Sequence, residues 1–128
     1  MKDFIFGRHL PARVAFEARV PAGITTKEAL MDALQSALRF PEYFGGNWDA
    51  LEECVRDLSW LPEGDVVLLN EDLPLSNKGA DLVIYLSILC NAIDKWDAAK
   101  ERKLLVVFPP GAEEIVRDLL GRCLPEER

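Results

Sequence analysis

The sequence predicts an α/β fold: a small, mostly parallel sheet of three strands flanked by helices, with an extra helix toward the carboxyl end. Three observations predict it. Residues 13–20 alternate strictly, with Val14, Phe16, Ala18 and Val20 on one face, which is strand periodicity. Two short runs, 65–69 and 104–108, are almost continuously apolar, as strands covered on both faces are. The segments around these runs place their apolar residues at helical spacing, so strands and helices alternate in the order β-α-α-β-α-β-α.

Each element has a local cause. Pro21, Ala22 and Gly23 stop the first strand. Thr25 and Glu28 have the spacing of a capping box, so a helix is expected to begin there, with Leu30, Leu34 and Leu38 along one side. Pro41 ends it, and a loop containing Gly45 and Gly46 follows. Asn47 is a good N-cap for a second helix, from Trp48 to about Leu58. Pro62, Glu63 and Gly64 form a turn before the second strand. A third helix spans about 77–98, where Leu82, Leu86, Leu89, Ile93 and Trp96 recur at intervals of four, three, four and three. That stripe suits packing on a sheet, although an isologous dimer of an adaptor protein could use the same stripe. Pro109, Pro110 and Gly111 break the last strand, and 112–123 reads as a final helix with Ile115, Val116, Leu119 and Leu120 inward.

The 128 residues are enough for a single domain, 1–128, whose core needs neither disulfide nor metal. Cys54, Cys90 and Cys123 are odd in number and match no metal or redox spacing, so they read as small hydrophobes in a reducing compartment. No run is long enough to span a membrane, and the first nine residues are too polar for a signal peptide. The expected location is therefore the cytoplasm.

The net charge of −7 is unevenly spread. Residues 41–82 hold ten acidic and two basic side chains, whereas 1–40 hold four and six, and 83–128 hold eight and seven. The middle third thus carries the whole excess. Such a surface repels nucleic acid and favours a cationic partner, unless it serves only solubility.

The residue types needed for catalysis are missing. The sole histidine, His9, lies in an irregular stretch. Gly45 and Gly46 follow a helix rather than a strand and precede carboxylates, which would repel a phosphate. No His/Cys set suits zinc, and Asp65, Glu71 and Asp72 lack calcium-loop spacing. Asp49 and Glu53 could in principle form a glycosidase pair, but they lie on one short helix with little room for a cleft. No enzyme, cofactor or metal is expected.

One constellation stands out. Asp49 and Glu53 are spaced i, i+4 on the second helix, with Glu52 beside them. Like charges so placed cost an isolated helix a few tenths of a kcal/mol. Asp49 recovers part of this from the positive end of the helix dipole. Tyr43, Phe44 and Trp48 adjoin the carboxylates. Aromatic and charged groups on a rigid helix and its leading loop are how interfaces build hot spots. The plainer alternative is a solvated acidic face with the aromatics in the core.

The run Pro41-Glu42-Tyr43-Phe44-Gly45-Gly46-Asn47-Trp48-Asp49-Ala50-Leu51-Glu52-Glu53-Cys54 resembles the signature of barstar and barstar-like proteins. The resemblance extends over about 14–108, leaving 1–12 outside and 109–128 as a helical extension. It implies the barstar fold and a protein inhibitor of a ribonuclease, which inserts the second helix and preceding loop into the nuclease active site so that carboxylates stand in for substrate phosphate. By matching position, Tyr43, Gly45, Asn47, Asp49 and Glu53 would be partner-binding residues, and Gly46, Trp48 and Glu52, among them on the same loop and helix, complete the expected partner-binding set. Glu53 stands where barstar has an aspartate, Glu52 where it has a tryptophan, and Trp48 where leucine is usual. The implied partner is a basic ribonuclease or another toxin protein, in the manner of an antitoxin. The alternatives are an immunity protein for a different toxin and an intracellular interaction adaptor. No direct nucleic acid or membrane binding is expected, and the free chain is expected to be a monomer.

Overall fold

A computed structural model describes residues 4–7, 14–42 and 44–123. The chain forms β1 (Phe4–Phe6), β2 (Phe16–Val20), α1 (Lys27–Ala37), α2 (Trp48–Asp57), β3 (Val66–Asn70), α3 (Gly79–Ala99), β4 (Leu104–Phe108), a 3-10 turn (Pro110–Ala112) and α4 (Glu113–Cys123). The four strands make one wholly parallel sheet in the order β1-β4-β3-β2.

The expected α/β architecture is present, with one correction: the sheet has four strands, not three. β1 is Phe-Ile-Phe, too short to display a period, and it pairs with β4 about a hundred positions away, at Phe4↔Val106 and Phe6↔Phe108. Its attachment is aromatic. The Phe108 ring meets Phe4 edge-on at 5.3 Å and stacks on Phe6 at 6.2 Å.

The other elements fall where local chemistry puts them, with small shifts. The N-cap of α1 is Thr26, not Thr25: its Oγ1 accepts from the Ala29 amide at 3.1 Å. β2 starts at Phe16, and Ala15 binds the Asp65 carbonyl ahead of the ladder. Asn70, one position past the apolar run 65–69, is the last residue of β3 and is buried. α4 starts at Glu113, after the 3-10 turn, and of the residues expected inward Val116 and Leu120 are buried and Leu119 half-buried, whereas Ile115 is 47% exposed, on the side of the helix away from the core.

The core lies between the helices and the face of the sheet that carries Ala18, Val20, Val66, Leu68, Val106 and Phe108. On the other face Val67 and Val107 are also buried, in keeping with the continuous apolar runs. The α3 stripe of Leu82, Leu86, Leu89, Ile93 and Trp96 is entirely buried within the chain. It is therefore not a free surface on which a dimer could form. Cys54 and Cys90 are buried, whereas the Cys123 side chain and His9 lie outside what is described. No described helix is long and apolar enough to cross a membrane.

Candidate functional site

The acidic helix α2 sits between a loop that sets its start and side chains from afar that hold its end. The loop is anchored first. Phe40 is buried, Phe44 packs 4.7 Å from it, and Trp60 meets the Phe40 ring edge-on at 6.2 Å. The Trp60 Nε1 donates to the Leu38 carbonyl at 2.9 Å, and the Phe44 amide donates to the Pro41 carbonyl at 3.0 Å. Phe44 therefore belongs to the scaffold. Gly46 has φ +74°, a left-handed conformation that glycine adopts at no steric cost, while Gly45 has no such constraint.

Asn47 then caps α2 as expected: its Oδ1 accepts from the Ala50 amide at 2.8 Å. This cap fixes the register of the helix. Leu51, Cys54, Val55 and Leu58 face inward and are buried. The same register leaves Asp49 and Glu53 exposed, with Glu52 half-buried beside them. Among the described residues the ion pairs join Arg19 to Glu17 and Glu71, and Arg117 to Glu113. None involves Asp49, Glu52 or Glu53. Carboxylates of this kind, held on a packed helix and unneutralised, present a preorganised negative field.

Trp48 is half-buried and packs against the core, so its bulk serves the fold at least in part. Gly45, Gly46 and Asn47 are exposed at the start of the helix, next to Asp49. Tyr43 lies outside the described residues. The structure thus brings seven of the eight sequence-predicted residues together on α2 and the loop before it.

Sequence reasoning missed three residues here. Asp57 continues the i, i+4 series of Asp49 and Glu53 and is also exposed. The spacing alone could have revealed it. Its charge is felt nearby: burial pushes the Cys54 thiol up from 9.0, and the carboxylates of Asp57 and then Glu53 push it further. The other two are Trp96 and Arg102, which had no local signal. The Trp96 Nε1 donates to the Val55 carbonyl at 3.2 Å. Arg102, in the connection before β4, donates through Nη2 to the carbonyls of Asp57 (3.1 Å) and Leu58 (2.9 Å), and through Nη1 to Pro62 (3.4 Å). Its guanidinium lies over the Trp96 ring, 4.3 Å from the centroid.

No curated protein sequence matches the chain. The family model described as Barstar (barnase inhibitor) matches residues 18–109. That span runs from within β2 through α1, α2 and α3 to the end of β4, and leaves β1 and α4 outside. The match covers well over half of the chain and the whole of the acidic helix with its leading loop, and the parallel α/β fold agrees with it: the chain belongs to the barstar family.

Proposed function

We propose that this chain inhibits a cationic ribonuclease by seating α2 and the 42–48 loop in its active site. Members of the barstar family are inhibitors of barnase-type ribonucleases rather than enzymes. The observation that carries the reading further is the exposure of Asp49 and Glu53 on one side of a helix whose other side is fully packed, with no ion pair to either among the described residues.

The chemistry is electrostatic occlusion. A ribonuclease active site must hold a polyanion, so it is lined with cations. Asp49 and Glu53 supply fixed negative charge in place of phosphate, and Glu52 adds to the field. The loop covers the rim. The attraction steers encounter, so association is fast and falls with added salt. Once desolvated, a charge pair at such an interface loses about 2–5 kcal/mol when one partner is truncated. Glu53 is one methylene longer than an aspartate and suits an arginine or lysine set back from the helix. In this reading the free chain is a cytoplasmic monomer, its α3 stripe already used internally, and the target is a toxin that the cell must neutralise.

The test is inhibition of a basic, barnase-type ribonuclease by the wild type and by the double variant Asp49→Asn, Glu53→Gln, which keeps the side-chain shapes. We expect the variant to bind at least 100-fold more weakly, or about 2.7 kcal/mol, and with a shallower salt dependence. Equal binding by the two proteins overturns this placement of the site.

A further inference from the structure

We infer that Arg102 is a positioning residue for the acidic helix, clamping its carboxyl end and so setting where Asp49 and Glu53 stand relative to a partner. The inference rests on the reading of α2 as the binding element.

α2 has ten residues, and a helix so short is marginal by itself. Its amino end has a side-chain cap, and its carboxyl end closes in a left-handed turn, the Leu58 N–H donating to the Cys54 carbonyl, but without the usual glycine. The residue that turns left-handed there is Leu58, with φ 46°, where glycine is the common choice. The last carbonyls of a helix have no partners within it. Here Val55 and Asp57 find them in side chains some forty positions on, the Trp96 indole and the Arg102 guanidinium, and Arg102 also reaches the Leu58 carbonyl, which accepts from the Leu61 amide as well. A guanidinium suits this task because its planar fork reaches several acceptors while its face stacks on an aromatic ring. It also places positive charge at the negative end of the helix dipole. Trp96 and Arg102 therefore act as one unit that ties α2 to α3 and to the start of β4.

Distance separates this role from a direct electrostatic one. Asp57 lies eight positions beyond Asp49, or about 12 Å along the helix axis. The Debye length at physiological salt is about 8 Å. The charge of Arg102 is thus largely screened from Asp49. Glu53 is nearer, four positions from Asp57 or about 6 Å, so there charge and position are told apart by Arg102→Lys, which keeps the charge, and by Lys103→Ala, which removes a neighbouring one.

The experiment measures association and dissociation rates with a barnase-type ribonuclease at about 0.15 M salt, for Arg102→Ala and for Lys103→Ala. The second removes the same charge from an exposed side chain next door. We expect Arg102→Ala to dissociate about tenfold faster with its association rate within about twofold of wild type, and Lys103→Ala to change neither rate appreciably. Arg102→Lys, which keeps the charge but loses the fork, recovers only a small part of the loss. Trp96→Phe keeps an aromatic face and removes one bond to α2, so about a threefold faster dissociation is expected of it. Wild-type dissociation by Arg102→Ala, or full recovery by Arg102→Lys, overturns the inference. If wild type itself does not bind the ribonuclease, the functional reading fails, and the clamp is judged on the free chain. There, amide exchange at Leu58, whose N–H donates to the Cys54 carbonyl, should rise about tenfold in Arg102→Ala, and unchanged exchange overturns it.

Discussion

The phenol of Tyr85, on α3, donates to the Oδ1 of Asn70, on β3, at 2.9 Å, in an interior where the two residues are 0% and 1% exposed. The Nδ2 of Asn70 in turn donates to the Val107 carbonyl at 3.2 Å. One satisfied polar chain thus links α3 to the two central strands, and no described buried side-chain polar atom is left without a partner.

Tyr85→Phe leaves Oδ1 of Asn70 buried and unpartnered. We expect a loss of about 1–3 kcal/mol of folding stability, read by urea denaturation. The double variant with Asn70→Leu should lose less than the sum of the single losses, because no orphaned side-chain acceptor then remains. Full additivity would mean that the two residues do not act together.

Stability should fall in alkali. Burial pushes the Tyr85 phenol well above its ordinary 10.0, outweighing the opposite effect of its hydrogen bond to Asn70. Below about pH 10 the folded and unfolded chains are both protonated there, and nothing is lost. Above it the unfolded chain releases the proton and the folded chain keeps it. Stability then drops by up to about 1.4 kcal/mol per pH unit. Cys54, raised from 9.0, adds a contribution of the same sign that begins nearer pH 9. Urea midpoints measured from about pH 8 to 11 test this, and Tyr85→Phe should flatten the upper part of the curve.

Asn47→Ala removes the acceptor for the Ala50 amide and should cost about 1 kcal/mol. Asn47→Asp keeps an acceptor and puts negative charge at the positive end of α2, so its stability should match or exceed wild type by about 0.3–1 kcal/mol. Thermal or chemical unfolding of the three proteins gives the order directly.

The adjacent glycines should separate stability from binding. Gly46→Ala must hold φ near +74°, which costs roughly 1–2 kcal/mol even though nothing crowds the new methyl. At Gly45 the methyl would meet Asn47 Nδ2 at 3.5 Å and Ala50 Cβ at 3.8 Å, both ordinary contacts. Gly45→Ala should therefore fold within about 0.5 kcal/mol of wild type. If the loop docks closely on the ribonuclease, the added methyl weakens binding there. Unfolding curves and inhibition assays on both variants check the contrast, and a Gly45→Ala protein that inhibits normally argues against close docking at this position.

The candidate site was largely legible because its causes are local. Asn47 reads as a cap from its own chemistry, and the cap and the Leu51, Val55 and Leu58 pattern orient α2, so Asp49 and Glu53 point outward from spacing alone. Trp48 was not legible, because an aromatic residue in the first turn can face either way until its neighbours are known. Its place is settled by the core, against which the half-buried ring packs.

The sequence by itself determined the periods, the Asn47 cap and the charge: where β2, β3 and β4 lie, which side of α1, α2 and α3 is apolar, and that the acidic excess falls on α2 and its neighbours. These follow from interactions between residues a few positions apart. Tertiary structure alone decided that Phe4–Phe6 adds a fourth strand beside β4, that Asn70 serves as a buried link to Tyr85, and that Trp96 and Arg102 close the end of α2. Each of these joins groups distant along the chain, and a polar or aromatic side chain carries no local mark of the partner that folding will bring to it.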